Sequence, residues 1–257
     1  MLRICTVHHE TNKFLDLQEK YFQNFTKEPY TLYRGYSDFE PLTAGQNSVN
    51  INLNGMTIHH ALRLNHMFGL INLDCDDSDI LVFADSDAYP IMDNWLDYVK
   101  EKLTEHPVVA VLRQENMVAL TNCSREEHPH PCFFVTTVGF WRSNNLNFDY
   151  QVNTGYNILT FLQSRGLDFY KLLRSNTINI HPLMFGVYDD IIYHHGAGNR
   201  PPYDGVDICL RKRLGHGPEL DLHYPQILLF NQKLSELVYD EMLDDDNFIR
   251  NYLLGIR

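Results

Sequence analysis

Five apolar residues in a row, Ile80-Leu81-Val82-Phe83-Ala84, run straight into Asp85-Ser86-Asp87. A stretch with no polar alternation fits a strand covered on both faces, so the pattern predicts a central strand here. Upstream, Leu2 to Val7 reads as a short strand, residues 12 to 26 as a helix and Tyr30 to Tyr36 as a second strand that ends at Ser37-Asp38. Gly55 to Phe68 carries helical spacing, with Ile58 and Leu62 four apart and Ala61, Leu64 and Phe68 on one face. Downstream, Leu96, Val99 and Leu103 mark a helix that stops at His106-Pro107, and Val108 to Leu112 is another apolar strand. Strands alternating with helices predict a parallel or mixed doubly wound sheet.

The second half is less regular. Residues 113 to 131 read as a polar loop with an extended His128-Pro129-His130-Pro131. Cys132 to Val138 is a predicted strand, and Tyr156 to Arg165 a helix closed by Gly166. Val187 to Tyr193 is a strand interrupted by Asp189-Asp190, and 196 to 205 a Gly/Pro loop. Leu234, Leu237, Val238 and Met242 mark an amphipathic C-terminal helix, expected to dock on its own sheet or on a second subunit. No linker or repeat divides the chain, so the expectation is one domain over 1–257, with 206–257 as a C-terminal helical extension.

Composition narrows the partners. The formal net charge of −12 over 257 residues argues against general nucleic-acid binding, which needs Lys and Arg against phosphates. An acidic protein that holds a diphosphate needs local positive charge, and a bound cation supplies it. The five cysteines are scattered, with no CxxC, which suggests a reducing compartment. No apolar stretch approaches the roughly 20 residues of a membrane span, and a cytoplasmic location is expected.

Asp-x-Asp occurs four times, at 74/76, 77/79, 85/87 and 244/246, so the pattern alone decides nothing. Only Asp85-Ser86-Asp87 follows a hydrophobic strand, and ligands of open α/β sheets bind at the carboxyl ends of strands. Two carboxylates there need compensation, and Mn²⁺ or Mg²⁺ takes oxygen from carboxylates and substrate phosphates together. The second informative stretch is Ile191-Ile192-Tyr193-His194-His195-Gly196-Ala197-Gly198-Asn199-Arg200-Pro201. Either histidine is a ligand of the Mn²⁺ class. Gly196 and Gly198 let backbone N–H groups approach a phosphate, and Arg200 adds charge. Cys123, His128, His130 and Cys132 form an alternative zinc-type set of non-standard spacing, which would make the chain a non-enzymatic zinc- or glycan-binding module.

The strand into Asp85-Ser86-Asp87, the acidic end of the second strand and the late His-Gly loop resemble GT-A glycosyltransferases. His195 to Pro201 is similar to the His-x-x-Gly-x-x-Lys-Pro loop of some retaining members, with Arg for Lys and a one-residue shift. The resemblance implies a Rossmann-like mixed sheet flanked by helices. It also implies transfer of a sugar from a UDP- or GDP-sugar donor to a glycan or other hydroxyl acceptor. On the same basis, Asp85, Asp87 and His195 would hold the metal, with His194 as competitor for the third place. Ser86, Gly196, Gly198 and Arg200 would line the diphosphate, Thr6, Val7 and Asp38 the nucleotide base, and Arg63 and Asn65 the donor. The acidic position of inverting members falls at Asn153, an amide that cannot act as a base. Asp149 is then the candidate base, unless the reaction is retaining. A nucleotidyltransferase is the nearest rival, but its glycine-rich loop after the first strand is missing from His8-His9-Glu10-Thr11-Asn12-Lys13.

Overall fold

The computed structural model describes residues 1–9, 12–40, 43–56, 59–112, 127–149, 154–181, 184–196 and 224–255, the last segment with its side chains from 229 onward. Much of the predicted loop at 113–131 and of the Gly/Pro loop at 196–205, Gly198 and Arg200 included, lies outside them.

Seven strands form the main sheet: β1 (Leu2–His9), β2 (Tyr30–Ser37), β3 (Ser48–Asn52), β4 (Ile80–Asp85), β6 (Val108–Leu112), β7 (Pro129–Thr137) and β8 (Tyr170–Leu172). Their order is β3-β2-β1-β4-β7-β6-β8. The first four run parallel, β7 is antiparallel to both its neighbours, and β8 is parallel to β6. A smaller antiparallel sheet joins β5 (Ala88–Pro90), β10 (Ile192–His194) and β9 (Gly186–Tyr188) in the order β5-β10-β9. Among the described residues the α-helices are α1 (Leu15–Phe25), α2 (His60–Ile71), α3 (Trp95–Leu103), α4 (Val138–Ser143), α5 (Tyr156–Ser164) and α6 (Tyr224–Asp244). The expected class, a mixed sheet flanked by helices, is the observed one.

The apolar run of β4 is covered on both faces, as its pattern requires. Val82 and Ala84 belong to a core shared with α1, α3, the small sheet and the C-terminal segment, while Leu81 and Phe83 face a second core with α2, α4 and α5. In the second core Phe83, Phe134, Trp141 and Phe148 pack edge-on or tilted at centroid distances of 4.9–6.2 Å. Trp141 is therefore a core residue, 1% exposed. Helix α2 sits close over β2 because Gly35 lacks a side chain: a Cβ there would stand 2.6 Å from Leu53 Cδ1 and 2.7 Å from Met67 Sδ.

Among the described residues the edge strand β3, the three-residue strands β5 and β8 and the short helix α4 escape the sequence pattern. The interruption expected at Asp189-Asp190 is the hairpin between β9 and β10, where both residues take positive φ of 45° and 60°. The C-terminal helix docks on this chain's own core through Val238 and Met242, whereas Leu237 faces outward at 57% exposure. Among the described residues no helix is long and apolar enough to cross a membrane.

Candidate metal centre

The parallel strands β2, β1 and β4 end along one edge, with His9 opposite Ser37 and Val7 opposite Asp85. Beyond Asp85 the chain turns through Ser86 and Asp87 and enters β5, which pairs with β10 so that His194 lies opposite Ala88. This register brings three ligand-type side chains together. Asp85, Asp87 and His194 each offer an atom, all within 4.8 Å of one another, the one such His/Cys/Asp/Glu group among the described residues. His194 Nε2 is 3.5 Å from both Asp85 Oδ2 and Asp87 Oδ1.

Strand alternation separates the two histidines, since successive side chains point to opposite faces. His194 faces the carboxylates. His195, expected in that place, turns with Tyr193 to the other side, where its Nδ1 is 3.0 Å from the Tyr193 hydroxyl and its Nε2 is 2.7 Å from Ser235 Oγ on α6. Phe14 and Phe185 pack on its ring. Only its backbone N–H reaches the site, donating to the Asp87 carbonyl at 3.0 Å. Burial pushes the His195 imidazole down to about 3, so it is neutral and serves the core.

The electrostatics of the trio are those of a cation site. Burial works to raise the Asp85 carboxyl, but His194 and His60 outweigh it and hold it well below the usual range. Asp87 is likewise lowered against its burial, chiefly by His194. Burial opposes charge on His194, yet Cys132, Asp87 and Asp85 together hold its imidazole well above its ordinary value. The half-buried Asp85 and the buried Asp87 are thus held toward their charged forms by a histidine that they in turn hold toward its own. A divalent ion answers the same demand, and two carboxylates with one imidazole suit Mn²⁺-class ions.

The other predicted residues divide by their surroundings. Asp38, with φ of 65°, places Oδ2 3.2 Å from His9 Nδ1 and 3.9 Å from the buried Arg63 guanidinium. This polar corner lies at the ends of β1 and β2, on the same edge as the trio. Ser86 is buried inside the carboxylate turn, and Gly196 leaves β10 with φ of 76°. Thr6 and Val7 are buried within β1, Thr6 Oγ1 3.5 Å from His8 Nε2, so their side chains belong to the interior. Asn65 binds the backbone of Phe148: its amide donates to the Phe148 carbonyl and accepts from the Phe148 N–H, both at 2.8 Å. That clamp fixes the backbone just before Asp149, whose own N–H donates to Asn157 Oδ1 at 3.3 Å. Of the alternative zinc set, Cys123 lies outside the described residues; among the other three, His130 Nδ1 accepts from the Cys132 N–H at 3.1 Å and His128 packs edge-on against Tyr156.

One side chain at the centre has no counterpart in the sequence reading. His60, the first residue of α2, places Nε2 3.0 Å from Asp85 Oδ1, on the side away from His194. The pair His59-His60 at the start of a helix before the carboxylate strand was the only cue to it.

No protein-family model matches the chain, and no curated protein matches it. Solved structures similar to it in fold include a mannosyltransferase from Pyrobaculum calidifontis in complex with GDP-Man and Mn²⁺, at 10% identity and a TM-score of 0.49, covering 67% of this chain and 54% of that one. S. aureus TarS 1–349 is similar at 11% identity and a TM-score of 0.48, over 88% of this chain and 69% of that one. The galactosyltransferase LgtC, in complex with donor and acceptor sugar analogs, follows at 14% identity and a TM-score of 0.37, over 55% and 59%. The chain thus spans little more than half the length of the mannosyltransferase and of LgtC. Two of these three structures are sugar transferases by name.

Proposed function

We propose that the chain is a divalent-metal-dependent glycosyltransferase that takes a UDP- or GDP-sugar as donor and a glycan or other hydroxyl compound as acceptor. The observation that carries the reading is the Asp85, Asp87 and His194 cluster at the carboxyl edge of the parallel strands. Sheets of this kind bind their ligands at that edge. An imidazole beside two carboxylates favours Mn²⁺ over Mg²⁺, whose preference is for all-oxygen surroundings.

Glycosyl transfer develops positive charge on the sugar and negative charge on the departing diphosphate. Asp85, Asp87 and His194 would hold the metal, which when bound supplies Lewis-acid stabilisation of that leaving charge. His60 fixes the Asp85 carboxylate from the other side. Arg63, anchored in α2, holds Asp38 and with it the polar corner suited to the nucleoside. Asp149, fixed by Asn65 through Phe148, is the residue we assign to the acceptor side, as the base if the reaction inverts. Gly196, with Gly198 and Arg200, would meet the diphosphate.

A thermal-shift panel of nucleotide sugars with and without Mn²⁺ tests the reading. Ligand at about 100 times its Kd stabilises by about 2.7 kcal/mol. The correct donor raises Tm only with metal present, and Asp87→Ala abolishes both the shift and transfer while the chain stays folded. Full transfer activity by Asp87→Ala, or in excess chelator, would remove the proposal.

A further inference from the structure

Beneath the carboxylate turn lies a residue that no step above uses. Gln18, on α1, is fully buried. Its side-chain amide Nε2 donates to the Asp85 carbonyl at 2.8 Å and to the Ala88 carbonyl at 3.0 Å, across about 70 residues of sequence. The two carbonyls bracket Ser86 and Asp87. Asp85 is itself one of the three clustered residues, and Ala88 is the residue opposite His194 in the small sheet. One amide therefore sets the span of the turn that carries both carboxylates and the register that delivers the histidine. Leu15, Leu17, Tyr21 and Phe22, all buried on the same helix, hold Gln18 in place from the core.

We propose that Gln18 is a positioning residue for the metal centre: it clamps the 85–88 turn so that Asp85, Asp87 and His194 converge. The inference rests on the metal-site reading above. A neutral amide suits the task, because its N–H groups hold the two backbone carbonyls without adding charge beside the cation, and the same side chain also meets the buried His8. Changes to groups that orient metal ligands typically weaken metal binding about 10–100-fold.

The test is Mn²⁺ affinity, read from the paramagnetic resonance signal of free Mn²⁺, for wild type, Gln18→Met and Leu17→Ala. Methionine keeps the length and bulk of glutamine and removes both donors. Leu17→Ala damages the same helix away from the turn. The expected result is a loss of at least tenfold for Gln18→Met and less than twofold for Leu17→Ala. Gln18→Asn, one carbon shorter, withdraws the donor while keeping the amide, and stands in if Gln18→Met fails to fold. A Gln18 variant within twofold of wild type overturns the proposal, and so does an equal loss in Leu17→Ala. If wild type itself binds no Mn²⁺, the metal-site reading fails first and takes this inference with it, an outcome separate from the other two.

Discussion

Lowering the pH should unfold this chain earlier than its carboxylates alone would. Burial depresses His8 and His195 from 6.5 to about 3 and His181 to about 4. All three are neutral in the folded chain at pH 5 and protonated in the unfolded one. A depressed histidine gives stability that is fully present above the unfolded value near 6.5 and lost as pH falls toward the folded value. The window for these three is therefore about 6.5 down to 3–4, and within it unfolding takes up close to one proton at each. The slope is about 1.4 kcal/mol per pH unit per proton, so the step from pH 6 to pH 5 costs about 4 kcal/mol in sum. That is a large part of the 5–15 kcal/mol typical of a folded domain. His194, raised in the folded chain, has the opposite sign. Its contribution is complete below the unfolded value near 6.5 and fades as pH rises through its raised folded value, so it changes little between pH 6 and 5. Urea unfolding at pH 6 and pH 5 in the absence of metal measures the sum. Removing one depressed group, as in His181→Asn, should lower the slope by one proton. A loss below about 1 kcal/mol over that interval would mean that these histidines are solvated and that the cores around them are wrongly described.

Asn65→Ala removes both hydrogen bonds to the Phe148 backbone and should cost about 1–3 kcal/mol in urea unfolding. If Asp149 serves the acceptor side, the same variant lowers kcat with little change in donor affinity, and unchanged kcat would detach Asp149 from the reaction. His60→Ala takes away the partner on the outer oxygen of Asp85 and should weaken Mn²⁺ binding about tenfold, read by calorimetry. Trp141→Ala opens a cavity among Phe83, Phe134 and Phe148 and should cost about 3–5 kcal/mol, with Mn²⁺ affinity unchanged in the fraction that remains folded.

The parts of the fold legible in the sequence are those where burial writes itself into local pattern. The apolar run of β4 announces a two-faced central strand, and the abrupt Asp85-Ser86-Asp87 announces the edge where it ends. The helices α1, α3 and α5 follow from spacing and breakers. Strands of three residues such as β5 and β8 carry too little pattern to register. The predicted start of α2 at Gly55 is early, because Gly55 sits in a turn with φ of 80° and the helix begins at His60. Within the site, the carboxylate pair was legible and the histidine was not. Choosing between His194 and His195 requires the pairing of β10 with β5, a contact about a hundred residues apart in the chain. His60 and Gln18 reach the turn from two different helices, and no local sequence rule links either to Asp85.

The most direct measurement is the anomalous difference density of crystals grown with Mn²⁺ and UDP or GDP. The account predicts a manganese peak within about 2.0–2.3 Å of Asp85, Asp87 and His194 oxygen and nitrogen atoms, with the diphosphate completing its coordination. A strong peak elsewhere, or nucleotide bound at full occupancy away from the β1–β2–β4 edge, would contradict it.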